Sequence, residues 1–86
     1  MRFRLSEHAQ AQMTERRVPW DVVMRVLDHP EQIVPEHRGR RAYQSQADLG
    51  TGRALLVRVI VDENVQPPVV VTVYRTSRIA KYWRVT

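Results

Sequence analysis

The stretch RALLVRVIVD, from Arg53 to Asp62, decides the fold of this 86-residue chain. Its β-branched residues and the turn-forming residues 62–64 predict a strand. Alternate residues of a strand point to opposite faces of a sheet, so residues 55, 57, 59 and 61 form one apolar face. The opposite face consists of residues 54, 56, 58 and 60 and carries a single charge, Arg58. We therefore expect a sheet with one face packed on helices and a second face that includes a charged side chain.

Two helices are expected before this strand. Ser6 is a suitable N-cap for the first, which runs through Arg16 with apolar residues at four-residue spacing. Arg16 and its neighbour Arg17 would offset the dipole at the helix end. A second helix runs from Trp20 to Asp28, between Pro19 and Pro30. Its apolar residues form one stripe, consisting of Val22, Val23, Val26 and Leu27.

Short strands are expected on both sides of Arg53–Asp62. Gln32–Glu36 and Arg41–Ala47 flank a turn at residues 37–39, and Val69–Arg75 follows the prolines at 67 and 68. A short helix or a final strand covers residues 77–84. This order predicts a single α+β domain, residues 1–86, in which two N-terminal helices pack on a four-stranded antiparallel sheet. Arg58, Thr72 and Tyr74 then share the second sheet face.

The C-terminal part of the chain groups cations with aromatic rings. The net charge is +5, every basic residue except Lys81 is arginine, and no acidic residue follows Glu63. The group consists of Tyr74, Arg75, Arg78, Lys81, Tyr82, Trp83 and Arg84. Arginine forks hold phosphates and aromatic rings stack on bases, so this pattern predicts a surface for single-stranded RNA. The alternative is a solvated amphipathic tail in which Trp83 packs on the sheet.

The histidines offer acid–base chemistry rather than a metal site. His8 lies in the first turn of the first helix, and a histidine there can move a proton near neutral pH. The alternative for His8 is a surface residue hydrogen-bonded to the sheet. His29 and His37 are expected at a helix end and in a turn. The chain has no cysteine and no metal-ligand spacing of histidines, so neither a metal nor a cofactor is expected.

The sequence also indicates where the protein acts. No apolar run reaches the roughly 20 residues of a membrane span. The charged start MRFRLSEHAQ is unlike a secretory signal. We therefore expect a cytoplasmic protein without membrane contact.

The chain resembles a small bacterial family at its start, after its second helix and at its end. The matching residues are Leu5 to Ala9 with Met13 and Glu15-Arg16, then His29-Pro30-Glu31, then Thr72 to Arg75 with Lys81-Tyr82-Trp83. The family opens with the pattern S-x-H-A-x-x-R-M-x-x-R-G, from which Gln12 and Arg17 depart. It looks like a branch of the RelE-like toxin superfamily, whose members are compact α+β ribonucleases or ribosome-dependent mRNA interferases.

The resemblance implies a toxin of a type II toxin–antitoxin pair that cleaves mRNA without a metal ion, free or on the ribosome. An acidic antitoxin would cover its basic face. His8 would be the acid or base, and Arg58, Arg75 and Lys81 would stabilise the phosphate. The RNA-binding residues would be Tyr74, Arg78, Tyr82, Trp83 and Arg84.

Two other interpretations stay open. The same fold could bind RNA or protein without catalysis, because no acid–base pair is evident. It could also be an interaction domain that forms a homodimer through Val69–Val73 as an exposed edge strand.

Overall fold

A five-stranded mixed sheet forms the centre of the structure, a computed structural model that describes residues 2–85. The elements are β1 (Arg4–Leu5), α1 (Glu7–Glu15), α2 (Trp20–Asp28), β2 (Gln32–Pro35), a 3-10 turn (His37–Gly39), β3 (Arg41–Asp48), β4 (Ala54–Asp62), β5 (Val69–Thr76) and α3 (Ile79–Tyr82). The strand order is β1-β5-β4-β3-β2. All neighbours are antiparallel except β1 and β5, which are parallel. The α+β class is confirmed, but the expectation of four antiparallel strands is wrong.

The additional strand is β1, which pairs Arg4 with Val69 and Leu5 with Val70. The Arg4 N–H donates to the Pro68 carbonyl at 2.8 Å, and the Ser6 N–H donates to the Val70 carbonyl at 3.0 Å. A two-residue strand is too short to show an alternating pattern. Its pairing is decided by tertiary contacts, which the sequence does not display.

The two long helices follow the sequence pattern closely. α1 begins after Ser6, whose Oγ accepts the Ala9 N–H at 3.0 Å. The predicted apolar stripe of α2 is buried and packs in one core with Val57, Val59 and Val61 of β4. Within residues 2–85, no helix is long and apolar enough to cross a bilayer.

α1 ends in a Schellman turn that places Arg17 in the left-handed region. The Val18 N–H donates to the Met13 carbonyl at 2.9 Å, and the Arg17 N–H donates to the Thr14 carbonyl at 3.3 Å. This hydrogen-bond pair requires a left-handed residue after the cap, usually glycine. Arg17 has a φ of 53°. A residue with a Cβ in that conformation costs about 1–2 kcal/mol.

α1 completes the edge of β5 where β1 stops. The Val73 N–H donates to Gln12 Oε1 at 2.9 Å, and Arg16 Nη1 donates to the Val73 carbonyl at 3.1 Å. Two side chains thus take the place of a neighbouring strand. Within Val69–Val73, β1 already pairs with Val69 and Val70, and α1 side chains bind the backbone of Val73. A homodimer through this segment remains a prediction.

Replacing the edge acceptor should destabilise the fold. Gln12→Ala leaves the buried Val73 N–H without its acceptor, so we expect a loss of about 1–3 kcal/mol in the free energy of unfolding. The control is Gln10→Ala, an exposed position on the same helix, which should change stability by less than about 0.5 kcal/mol. Urea unfolding measures both. Equal effects of the two substitutions would contradict the edge role of Gln12.

Candidate functional site

A row of polar side chains crosses the second face of the sheet, one from each of four neighbouring strands. Gln32 pairs with Gln44, Gln44 with Arg58, and Arg58 with Tyr74. The row runs from the edge strand β2 to β5. Arg58 and Tyr74 share this face, as their alternation predicted.

Arg58 is buried in the middle of this row, with 2% of its surface exposed. Its Nε donates to Gln44 Oε1 at 2.8 Å, and its Nη1 donates to Glu36 Oε2 at 3.3 Å and to the Tyr74 hydroxyl. A buried guanidinium is tolerated only with partners of this kind. Arg58 is therefore an interior residue whose hydrogen bonds stabilise the fold. It does not line the cleft described below, where a phosphate ligand would have to be exposed.

Tyr82 covers Arg58 from the C-terminal side. Residues 79–82 form the short helix α3 rather than a strand. The Arg58 Cζ lies 4.3 Å from the centre of the Tyr82 ring. Tyr74 and Tyr82 meet edge to face with their centroids 6.2 Å apart, and Lys81 Nζ lies 5.2 Å from the Tyr82 ring. Two tyrosines and two cations thus meet where β5 ends.

An open cleft of about 750 Å³ lies beside these tyrosines, between the end of α1 and the outer edge of β5. Its lining residues are Gln12, Glu15, Arg16, Arg17, Thr72, Tyr74, Arg75, Thr76 and Tyr82. The Arg16 Cζ lies 5.9 Å and the Arg58 Cζ 5.7 Å from the Tyr74 ring centre, so two guanidinium groups lie near this ring. Three arginines against one carboxylate give the cleft a net positive charge.

The cleft exists because β1 is too short to pair with the whole length of β5. β1 ends at Leu5, opposite Val70, and the α1 side chains cover β5 only at Val73. Backbone groups of a strand point to the same edge at every second residue. The N–H and C=O of Arg75 therefore face the cleft beside its own side chain.

The structure brings together some of the predicted site residues and separates others. Tyr74, Arg75 and Tyr82 line the cleft, and Lys81 lies beside Tyr82 without being one of the lining residues. His8 is exposed in the first turn of α1, about 10 Å along the helix axis from Glu15, and does not line the cleft.

The remaining predicted residues of α3 and its flanks are also outside the cleft lining. Arg78 is exposed, and its N–H donates to the Thr76 hydroxyl at 3.0 Å. Trp83 is half-buried at the end of α3, and the backbone of Arg84 is bound by the Gln32 side chain. The predicted C-terminal group is thus divided in the structure. Some of its members lie at the cleft, whereas Arg78, Trp83 and Arg84 lie outside the cleft lining.

Four cleft residues come from the last turn of α1 and the turn that follows it, namely Gln12, Glu15, Arg16 and Arg17, and the sequence did not assign them to a site. Arg16 and Arg17 were expected only to offset the helix dipole, and Gln12 only as a departure from a pattern. Gln12 and Arg16 are four residues apart on one helix face, which was the available signal. Within residues 2–85, no group of three His, Asp or Glu side chains is placed to hold a metal ion.

The environments of the two cleft tyrosines, Tyr74 and Tyr82, shift their pKa values in opposite directions. Burial raises the pKa of Tyr74, and the hydrogen bond from Arg58 offsets only part of this rise. Burial also acts to raise the pKa of Tyr82, but Lys81, Tyr74 and Arg58 together outweigh it and lower that pKa below its ordinary value. Such a separation between neighbouring titratable groups is typical of acid–base sites.

The chain belongs to the family described as Domain of unknown function (DUF4258), whose model matches residues 5–75. The match includes α1 and all but the last residue of β5, which form two walls of the cleft, and excludes α3 with Tyr82. No curated protein and no solved structure matched the chain.

The three tyrosines should ionise in separate steps. Tyr82 should titrate first and Tyr43 last, because burial and a hydrogen bond to Glu63 raise the pKa of Tyr43 to about 12. Tyrosinate absorbance during an alkaline titration measures the steps, while circular dichroism confirms that the protein stays folded. Tyr82→Phe should remove the first step and Tyr43→Phe the last. One common step, or loss of a late step in Tyr82→Phe, would contradict these environments.

Proposed function

We propose that this protein binds single-stranded RNA in the cleft between α1 and β5 and cleaves it without a metal ion. The observation that carries the proposal is the meeting of three guanidinium groups and two phenol rings in one open cleft. Arginine binds phosphate oxygens through parallel N–H groups, and a tyrosine ring stacks on any base. RNA is favoured over a duplex because unstacked bases can reach the rings.

The cleft offers separate groups for the backbone and the bases. Arg16, Arg17 and Arg75 provide charge along the walls, and the outward N–H of Arg75 adds a neutral donor. Tyr74 and Tyr82 provide aromatic rings, and the Arg16 guanidinium lies beside the Tyr74 ring. Thr72 and Thr76 add polar lining. Cations next to rings suit a single strand, because a phosphate and a neighbouring base can then be bound together.

Cleavage needs a base and an acid in addition to binding. The base takes the proton of the ribose 2′-hydroxyl, whose oxygen attacks the neighbouring phosphorus. The acid gives a proton to the leaving 5′ oxygen, so that a cyclic phosphate and a 5′-hydroxyl form. Preorganised cations stabilise the extra negative charge of the transition state.

Glu15 and Tyr82 fit these two roles better than His8. A carboxylate is one of the side-chain groups that serve as general bases. Within residues 2–85, Glu15 makes no salt bridge that would occupy its carboxylate. Lys81, Tyr74 and Arg58 lower the pKa of the Tyr82 hydroxyl against the effect of burial, which makes it a better proton donor than an ordinary tyrosine. Both line the cleft, which His8 does not.

In a cell, such an activity would make the protein a toxin. An acidic antitoxin would restrain it by covering the three cleft arginines, because opposite charges favour association. RNA binding without cleavage is the second candidate function. The same cationic lining favours it, and it needs no role for Glu15.

A pair of arginine-to-glycine substitutions separates RNA binding from stability. Arg17 and Arg38 both have positive φ, 53° and 60°, so glycine should stabilise the fold at each position by about 1 kcal/mol. Only Arg17 lines the cleft. Arg17→Gly should therefore weaken RNA binding several-fold and reduce the salt slope of log K by about 0.7, the value for one single-strand phosphate contact. Arg38→Gly should leave the RNA affinity and the salt slope unchanged.

Fluorescence anisotropy with a labelled single-stranded RNA over a range of salt concentrations measures the affinities, and urea unfolding measures stability. Equal RNA affinities of the two variants would place the RNA elsewhere. An absence of salt-dependent RNA binding by the wild type would overturn the proposal as a whole.

Removing the Glu15 carboxylate should change binding and cleavage in opposite directions. Glu15→Gln deletes the one negative charge of the cleft, so RNA should bind at least as tightly. Cleavage should fall by about 10²–10⁴, the usual contribution of a general base. Glu7→Gln, on the same helix but outside the cleft lining, is the control.

Gel analysis of labelled RNA with a chelator present measures the cleavage rate. Induced expression of wild type and Glu15→Gln in a bacterial host, without an antitoxin, tests for growth arrest. A fully active Glu15→Gln would exclude Glu15 as the base. RNA binding by the wild type without any cleavage would establish the second candidate function instead.

A further inference from the structure

The C-terminal segment, residues 77–85, is held on the sheet by the side chain of Gln32. Gln32 Nε2 donates to the Arg84 carbonyl at 2.6 Å, and Gln32 Oε1 accepts the Arg84 N–H at 3.0 Å. The primary amide thus uses its donor and its acceptor on one residue's backbone, as a neighbouring strand would. This contact joins the first residue of β2 to the end of the chain.

Gln44 makes a second contact with the same segment. Its Nε2 donates to the Tyr82 carbonyl at 3.2 Å and to Gln32 Oε1 at 2.8 Å. Its Oε1 accepts from Arg58 Nε at 2.8 Å. Because Gln44 is fully buried and Arg58 can only donate, its amide has one usable orientation. The hydrogen bond from Arg58 therefore fixes the Gln44 amide in the orientation that directs its NH2 group toward the Tyr82 carbonyl.

α3 depends on these contacts with the sheet because a helix of four residues is not stable by itself. It is a four-residue helix whose N-cap, Arg78, makes no side-chain capping bond. Isolated helices of this length are unstable in water, since one turn does not recover the cost of nucleation. None of the nine residues of the segment is fully buried: Ile79, Tyr82 and Trp83 are half-buried and the other six are exposed. The polar contacts with the sheet therefore decide where Tyr82 lies.

We propose that Gln32 and Gln44 are positioning residues for the RNA cleft, which hold Tyr82 over Arg58 so that its ring forms the cleft wall. Neither glutamine lines the cleft. The inference rests on the proposed function for its RNA part. The placement of Tyr82 is independent of that function. It also gives a role to the polar row of the second face, which connects the β2 edge to the cleft.

The acidity of Tyr82 supplies a direct readout of its position. Its pKa is lowered by Lys81, Tyr74 and Arg58, although partial burial opposes this. Release of the segment removes the burial of Tyr82 together with its contacts to Tyr74 and Arg58, and the unwound turn no longer fixes Lys81 against the ring. Since these influences together lower the pKa of Tyr82, their loss should return it toward the ordinary value, and the first tyrosinate step should move to higher pH.

The test replaces Gln32 with methionine, which has a similar length and volume but cannot form these hydrogen bonds. Gln46→Met is the matched control, because Gln46 is an exposed glutamine of β3. Gln32→Met should raise the pH of the first tyrosinate step and weaken RNA binding roughly tenfold, the size expected for one or two hydrogen bonds. Gln46→Met should change neither.

A double-mutant cycle with Tyr82→Ala shows whether Gln32 acts through Tyr82. In the Tyr82→Ala background, Gln32→Met should have no further effect on RNA affinity. Additive losses, or an unchanged first tyrosinate step in Gln32→Met, would overturn the positioning role. If the wild type fails to bind RNA, the proposed function fails, and the tyrosinate step alone still decides whether Gln32 places Tyr82.

Discussion

The buried guanidinium of Arg58 is the interaction on which the rest of the structure depends. A charge with 2% of its surface exposed has to be paired, because an unpaired buried ion is far more costly than a surface one. Its partners come from different parts of the chain: Glu36 follows β2, Gln44 lies in β3, and Tyr74 lies in β5. One charge therefore links the register of neighbouring strands. The same guanidinium also forms a cation–π contact with the Tyr82 ring.

The cleft follows from how the sheet edge is completed. A longer β1 would have covered all of β5, and the edge would have been closed. Instead, Gln12 and Arg16 satisfy Val73, and the strand beyond it borders open space. Arg16 thus serves the fold through Val73 and the cleft through its charge beside Tyr74. This double role means that a change at Arg16 affects stability and ligand binding together, whereas Arg17 and Arg75 report on binding more cleanly.

Much of the fold could be predicted from local patterns. The Ser6 cap, the α2 stripe and the two faces of β4 each depend on nearby residues, and the structure confirms them. β1 could not be predicted, because two residues carry no periodicity. Of the residues predicted for the site, Tyr74, Arg75 and Tyr82 line one cleft, and their roles remain predictions. The contributions of α1 could not be seen, because only the packing of α1 along β5 places its polar face beside the tyrosines.

The most direct test of the account is a map of RNA contacts on the folded protein by amide chemical shifts. A short single-stranded RNA is titrated into the labelled protein, and the shifted backbone amides are assigned. The account predicts the largest changes at the end of α1, in residues 72–76 of β5 and around Tyr82, with little change in the turn at residues 37–39. Changes confined to that turn, which also carries arginine, or no changes at saturating RNA, would contradict the claim that the cleft binds RNA.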